Sequence, residues 1–312
     1  MNPYNYNNGN LRYNLNLMEV TPKWSRYSVD FPSAHPTRYE ENNTVRGEYF
    51  RPPGANNVPL AILVHGMGDY GAIPCKFLAR TLVKRGIACF VLYQIFHSCR
   101  ISQVVKNRLY ELTAEEWFES YQVSVIDVRQ VIDWANSIPE INKEQIATVG
   151  ISFGGFISAI TMGIDERVKA GVFVVSGGNA AKIAWKGSRR YMKNYSYTED
   201  EYNNTNSQYM QFLAEVAEKG LENVTPVKEN FLTDPLTYAP LLRQRPVLMI
   251  NALWDEAIPK EATVDFWQAC DKPPIAWFPA NHAGIWLWYP LISRKILRFL
   301  NANFGTPERR ST

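Results

Sequence analysis

Apolar runs and amphipathic segments alternate along most of the chain. Near-continuous apolar runs are typical of parallel strands that are covered on both faces. Such runs occur at 59–64, 87–93, 146–151, 170–175, 246–250 and 274–278. Between them, apolar positions at helical spacing predict helices. Four of these helices are predicted at 75–85, 117–135, 156–162 and 291–299, and a further one begins at Pro259. Strands and helices in this order predict an α/β fold with a doubly wound, mostly parallel sheet.

The N-terminal part of the chain has a different pattern. Residues 1–22 are rich in Asn and Tyr and show no clear period, so we expect an irregular N-terminal arm. Segments 24–31 and 44–50 alternate between apolar and polar positions. They predict two antiparallel strands at one edge of the sheet.

One long segment interrupts the alternation. Residues 177–239 separate two buried strands and are far longer than an ordinary crossover. Apolar residues from Tyr209 to Ala217 recur at helical spacing, and Gly220 stands where a C-cap would be. We expect a helical lid insertion over the carboxyl end of the sheet, with 23–176 and 240–312 as the core. A crossover helix with a decorated surface loop is the alternative.

Composition and charge exclude several classes of protein. The 312 residues are 46% hydrophobic and 20% charged, as in a globular protein with a sizeable core. The net charge is only +3 and no dense basic run is present, so nucleic acid is not an expected partner. The four cysteines lack metal-ligand spacing. No secretory signal or apolar stretch of membrane-spanning length is recognisable, so we expect a cytoplasmic protein with no membrane span.

The most informative motif is Gly150-Ile-Ser152-Phe-Gly154, between an apolar run and a helical segment. Strand, G-x-S-x-G and helix in this order form a nucleophile elbow. Gly150 and Gly154 lack a Cβ and let the turn pass close to its neighbours, while the hydroxyl of Ser152 projects from the turn. The N–H of Phe153, at the helix start, can face an anionic oxygen. Because the bare pattern arises by chance in about one chain in ten of this size, the residues that follow decide its value.

A serine nucleophile needs a base and an orienting acid. His282 is the only histidine after Ser152, and it follows the last predicted strand. Two carboxylates, Asp255 and Glu256, follow the strand at 246–250, and the interval before Pro259 favours Asp255. The order serine, aspartate, histidine is the order expected for this chemistry on an α/β sheet.

The loop after the strand at 59–64 is rich in glycine. In His65-Gly66-Met67-Gly68 the glycines allow close approach of the backbone, and the N–H of Met67 would join that of Phe153 in an oxyanion hole. We expect His65 to order this loop rather than to transfer protons. Asp69 either contacts substrate or caps the next turn, and the residues do not decide between these roles.

These motifs together resemble the α/β-hydrolase superfamily. They are HGMG at 65–68, GISFGG at 150–155, the Asp255 loop and NHAG at 281–284. The segment Asp234-Pro-Leu-Thr-Tyr-Ala-Pro and the run PVLMINALWDEAIP resemble the dienelactone-hydrolase and prolyl-oligopeptidase-like branch, including its acyl esterases. The resemblance implies an α/β-hydrolase fold and a serine hydrolase that acts through an acyl-enzyme, with no metal or organic cofactor. Two features depart from that branch: dienelactone hydrolases have a cysteine at the elbow, and no propeller domain precedes the motifs.

The sequence therefore predicts a carboxylesterase that acts on a small-molecule ester. The aromatic residues of the insertion are expected to shape an apolar pocket for its acyl or alcohol group. An aminopeptidase or amidase of the same fold is the second hypothesis, and a non-catalytic binding protein of that fold is the third. The sequence gives no oligomeric state.

Overall fold

The structure of the protein is a computed structural model that describes residues 2–7, 9, 11–187 and 197–305. Over these residues, nine strands form one sheet. They are β1 (Asn14–Val20), β2 (Ser25–Pro32), β3 (Thr44–Arg51), β4 (Val58–Val64), β5 (Ala88–Tyr93), β6 (Ile141–Ile151), β7 (Val168–Val174), β8 (Val247–Ala252) and β9 (Ile275–Phe278). Their order is β1-β2-β3-β5-β4-β6-β7-β8-β9. Pairing is antiparallel from β1 to β5 and parallel from there to β9, which confirms the mostly parallel sheet.

Helices cover both faces of the sheet. In the described part of the chain they are α1 (Ile73–Val83), α2 (Gln103–Lys106), α3 (Ala114–Asn136), α4 (Phe153–Ile164), α5 (Ala180–Lys186), α6 (Glu199–Lys219), α7 (Pro235–Tyr238), α8 (Lys260–Ala269) and α9 (Tyr289–Phe304). Along β4, Leu60 and Ile62 pack into one apolar core with α3 and α4. Ala61 and Leu63 pack into a second core with α1 and α9. Alternate side chains thus enter opposite cores, which explains why the strand is apolar throughout.

Local signals define the helix that supports the elbow. Helix α3 begins with a capping box: the Thr113 hydroxyl accepts the Glu116 N–H at 3.2 Å, and the Glu116 carboxylate accepts the Thr113 N–H at 2.9 Å. Val125, Val128 and Ile132 lie on one stripe and are fully buried. Helix α3 therefore forms a fixed layer against α4, the helix that begins at the elbow.

The N-terminal arm is more ordered than we expected. An irregular arm over residues 1–22 is wrong for Asn14–Val20, which forms β1 and pairs with β2. Polar and apolar residues alternate only from Asn14 to Leu17, and a register shift between Leu17 and Glu19 interrupts the pattern, so the sequence signal of this strand is short. Before it, Tyr4 is fully buried and donates its hydroxyl to the carbonyl of Leu232 at 2.7 Å.

The described part of the 177–239 insertion extends the core. Tyr209 and Phe212 of α6 pack with Phe231 in the core that contains α3 and α4, and Gly220 ends α6 with a φ of +83°. Residues 188–196, which include Tyr191 and Tyr195, lie outside the described residues. None of the described helices combines the length and apolar character that crossing a membrane requires.

Candidate active site

Ser152 lies on a strained turn between β6 and α4. Its backbone has φ 53° and ψ −119°, a conformation that is costly for a residue with a side chain. Its N–H donates to the carbonyl of Val174 at 2.8 Å, which holds the turn against β7. A Cβ at Gly154 would collide with the carbonyl oxygen of Val64, and one at Gly150 with that of Gly154. The two glycines are therefore required by close backbone approach, as expected from the motif.

The structure brings together three side chains that are far apart in the sequence. His282 Nε2 lies 2.9 Å from Ser152 Oγ, and its Nδ1 lies 2.8 Å from each carboxylate oxygen of Asp255. The Asp255 side chain is 4% exposed and that of His282 is 14% exposed. Because a carboxylate only accepts hydrogen bonds, Nδ1 carries a proton and, in a neutral ring, Nε2 is free to accept from Ser152.

The two acids at 255 and 256 have different partners. Asp255 Oδ1 also accepts the N–H groups of Ala257 at 2.9 Å and Ile258 at 2.8 Å. Glu256 accepts the backbone N–H of His282 at 3.0 Å. Asp255 thus orients the imidazole ring, while Glu256 holds the main chain that carries it. The two loops are also joined by backbone bonds, for example from the Leu253 N–H to the Phe278 carbonyl at 2.9 Å.

The glycine-rich loop after β4 lies beside the serine. A Cβ at Gly66 would be 3.3 Å from Ser152 Cβ, so this loop passes the elbow in van der Waals contact. No described residue accepts a hydrogen bond from the N–H of Met67 or of Phe153. Both amides belong to backbone that borders Ser152, one on each side of the elbow.

His65 lies within this loop, and Asp69 follows it. His65 is fully buried, its Nδ1 lies 2.8 Å from the Gly66 carbonyl, and burial lowers its pKa to about 4. It therefore contacts the loop as a neutral ring. Asp69 accepts the N–H of Ile73 at 3.3 Å, at the start of α1, and it also lines the cleft at Ser152. Both roles that the sequence left open for Asp69 are thus compatible with its position.

His97 was missed in the sequence and belongs to the same network. Its Nε2 accepts the N–H of Gly68 at 2.8 Å, and its ring centroid is 5.0 Å from that of His65. The sequence feature that could have identified it is its position four residues after the end of β5. In the sheet, β5 lies next to β4, the strand that precedes the glycine-rich loop. Loops that follow neighbouring parallel strands meet at one edge of the sheet.

A cleft of about 660 Å³ opens at Ser152. Its walls are mainly apolar and come from the residue after β7, from α1 and from the segment 283–289. They include Ile73, Pro74, Phe77, Val175, Trp286 and Tyr289. No described residue of 177–239 lines this cleft, so the described part of the insertion supplies none of its aromatic wall. A lid formed with the help of residues 188–196, which lie outside the described residues, stays a prediction.

Comparisons with known proteins give the family and the fold. The family model for "alpha/beta hydrolase domain containing 18" matches residues 25–238, more than half of the chain. A search of curated protein sequences finds no match.

Among solved structures, an acetyl xylan esterase from Paenibacillus sp. R4 is 18% identical with a TM-score of 0.64, over 94% of this chain and 89% of that one. A cold-adapted esterase from an Arctic intertidal metagenomic library is 15% identical with a TM-score of 0.60, over 96% and 99%. The acylaminoacyl peptidase of Pyrococcus horikoshii is 15% identical with a TM-score of 0.63, over 93% of this chain and 43% of that one. At these identities the likeness shows the fold. With the family match, it follows that the chain belongs to the alpha/beta hydrolase domain containing 18 family of the α/β-hydrolase superfamily.

Proposed function

We propose that the protein is a serine carboxylesterase that cleaves its substrate through an acyl-enzyme on Ser152. The observation that carries this proposal is the hydrogen-bonded series Ser152, His282 and Asp255, with 2.9 Å and 2.8 Å between successive partners. A nucleophile in hydrogen-bond contact with a base, which is itself oriented by a buried acid, is the arrangement that acyl transfer requires.

Each group then has a defined step. Ser152 Oγ attacks the ester carbonyl carbon as its proton moves to His282 Nε2, and Asp255 stabilises the resulting imidazolium. The N–H groups of Met67 and Phe153 stabilise the negative oxygen of the tetrahedral intermediate. His282 next gives the proton to the alkoxide, so the alcohol leaves and the acyl group stays on Ser152. Water, deprotonated by His282, attacks this ester, and the imidazolium returns the proton to Ser152 Oγ as the acid leaves.

The cleft indicates the kind of ester. Its described walls are mainly apolar, and Asp69 carries the only formal charge among them. An apolar acyl or alcohol group gains about 25 cal/mol for each Å² that it removes from water. An anionic group would instead lose hydration next to a carboxylate. The proposed substrate is therefore an ester with an apolar group and without an anionic group.

An aminopeptidase or amidase is the second candidate, because the fold is shared with an acylaminoacyl peptidase. Recognition of a free amino terminus needs a carboxylate that is available to the ligand. Asp69 is the single carboxylate of the described cleft, and its Oδ1 accepts the N–H of Ile73 at 3.3 Å. The pair of acids that usually binds an amino group is not found among the described cleft residues, which favours esters over substrates with a free amino terminus.

The proposal is tested with p-nitrophenyl esters of increasing acyl length and matched aminoacyl anilides. We expect turnover of the esters, with kcat lowered on the order of a thousandfold or more by Ser152→Ala. A fluorophosphonate probe should label the wild type and not the variant. Equal ester rates for both proteins would refute the proposal. Faster turnover of the anilides would support the second candidate, and an unlabelled wild type would favour a binding protein.

A further inference from the structure

The oxyanion loop (residues 65–68) is held from outside by the segment that follows β5. The Gln94 N–H donates to His65 Nε2 at 3.2 Å, and the Gln94 side chain donates to the His65 carbonyl. At the other end of the loop, the Gly68 N–H donates to His97 Nε2 at 2.8 Å. The loop therefore depends on residues 94–97 for its position as well as on its own turn.

The tautomer of His97 follows from its second contact. Its Nδ1 lies 2.8 Å from the carbonyl of Ile95, which can only accept, so Nδ1 carries the proton. Nε2 is then unprotonated and accepts from Gly68. The ring is 1% exposed, and both of its nitrogens are used. The side chain of His97 thus connects the Ile95 carbonyl with the Gly68 N–H through two hydrogen bonds.

The segment around His97 is unusually well fixed. Phe96 and Ser98, on either side, have φ values of +61° and +53°. Such conformations cost about 1–3 kcal/mol each and persist where the surroundings determine them. Here the surroundings are ordered by Arg100, which is fully buried, pairs with Asp127 at 2.7 Å and donates to the Asn42 carbonyl at 2.6 Å. The support behind His97 is therefore rigid.

Gly68 most needs such support. Its φ is +77°, a region that glycine enters at little cost, so its own backbone does not select one conformation. The peptide between Met67 and Gly68 adjoins the N–H that would stabilise the oxyanion. Functional donors have to be held within about 0.5 Å of their productive position.

We propose that His97 is a positioning residue of the oxyanion hole, which fixes the Met67–Gly68 peptide by accepting the Gly68 N–H. This inference rests on the proposed esterase function and adds a residue to it. A neutral imidazole suits the position because it accepts a hydrogen bond without net charge. An acid placed there would accept as well, but its negative charge would oppose the negative oxygen that forms nearby.

Two similar variants separate this role from a purely structural one. In His97→Gln, a side-chain oxygen can reach the place of Nε2 and accept from Gly68. In His97→Asn, the shorter side chain keeps a polar group near the Ile95 carbonyl and leaves Gly68 without its acceptor. We expect kcat for a p-nitrophenyl ester to fall about tenfold to a hundredfold in His97→Asn, with KM unchanged within about twofold. His97→Gln should stay within about threefold of the wild-type kcat.

The outcomes that contradict the inference are distinct from failure of the proposed function. Equal kcat in the two variants, or a change confined to KM, would overturn the role of His97. A wild type without hydrolase activity would contradict the proposed function itself. A measurement on the unmutated protein is independent of variant folding: with [15N]glycine labelling, the Gly68 amide should exchange slowly with deuterium. Exchange as fast as in an exposed loop would overturn the proposal whichever variants fold.

Discussion

The edge of the sheet around Ser152 and the insertion at 177–239 are built in different ways. At the sheet edge, each functional side chain follows the carboxyl end of a parallel strand, and hydrogen bonds join neighbouring loops. In the described part of the insertion, the aromatic side chains of Tyr209 and Phe212 pack with Phe231 in the core of α3 and α4.

This difference explains which sequence inferences succeed. Parallel strands end at one edge of a sheet, so residues that follow β6, β8 and β9 meet there whatever their separation along the chain. An amphipathic helix instead packs wherever an apolar surface is available, and its place in the chain does not say which surface that is. The position of the insertion therefore predicted a role in the cleft that its described residues do not have.

The largest expected effect concerns the two neighbouring acids. Asp255→Asn should lower kcat for ester hydrolysis about a thousandfold to ten-thousandfold, because an amide can donate to Nδ1 and select the wrong imidazole tautomer. Glu256→Gln is the matched control, since its carboxylate accepts the backbone N–H of His282 rather than touching the ring. We expect it to cost less than about tenfold. Steady-state kinetics of both variants checks this, and a larger loss in Glu256→Gln would reverse the assignment.

Acid should destabilise the Ser152 side of the molecule. Burial lowers the pKa of His65 to about 4 and that of His97 to about 3, and the insertion contains no histidine. Below about pH 6.5 the unfolded chain binds protons at both rings while the folded chain does not. As the pH is lowered below about 6.5, the free energy of unfolding should therefore decrease. Each ring contributes a decrease of up to about 1.4 kcal/mol per pH unit, until the ring in the folded protein itself becomes protonated.

Urea unfolding of the wild type and His97→Gln at pH 7, 6 and 5 measures this dependence. Carboxylates that lose their partners in acid affect both proteins, so the difference between the two slopes isolates His97. We expect the variant to lose stability less steeply, with a difference in slope that grows as the pH falls and approaches about 1.4 kcal/mol per pH unit near pH 5. Parallel slopes would show that His97 is already protonated in the folded state.

The sequence predicts more of the site than of its surroundings. The proximity of Ser152, Asp255 and His282 was predictable because the elbow motif, followed by an acid and a histidine in that order, is characteristic. The contact of His97 with Gly68 could not be predicted, because a histidine that accepts a backbone N–H has no sequence motif. It can be recognised only once the sheet order, with β5 beside β4, is known. The strand at Asn14–Val20 was missed because its register shift interrupts, after four residues, the alternation on which strand prediction depends.

A pair of tyrosine variants tests which region shapes the cleft. Tyr289 lines the cleft and its hydroxyl donates to the Phe77 carbonyl at 2.9 Å, which fixes this wall to α1. Tyr202, in the insertion, is equally half-buried and stacks on Trp185 with 4.1 Å between the ring centroids. Tyr289→Ala should change the ratio of kcat/KM between long and short acyl esters about tenfold, since a cleft of this kind discriminates by about 1–3 kcal/mol per methylene.

Tyr202→Ala is the control and should leave that ratio within about twofold. The measurement is kcat/KM across a series of p-nitrophenyl esters from acetate to decanoate. If Tyr202→Ala shifted the chain-length preference and Tyr289→Ala did not, the insertion rather than the cleft wall at Tyr289 would determine that preference.

The smallest expected effect concerns Tyr4 of the N-terminal arm, a segment that contacts both α3 and the insertion rather than the cleft. The hydroxyl of Tyr4 donates a hydrogen bond to the Leu232 carbonyl at 2.7 Å. Its ring packs edge-to-face against that of Tyr238, with 6.1 Å between the ring centroids. Tyr4→Phe keeps the ring and leaves that carbonyl without this donor, so it should lower the free energy of unfolding by about 1 kcal/mol. Because the contact lies among insertion residues, ester kinetics should not change, and urea unfolding with steady-state assays measures both quantities. A loss of kcat at unchanged stability would mean that the insertion is coupled to Ser152 after all.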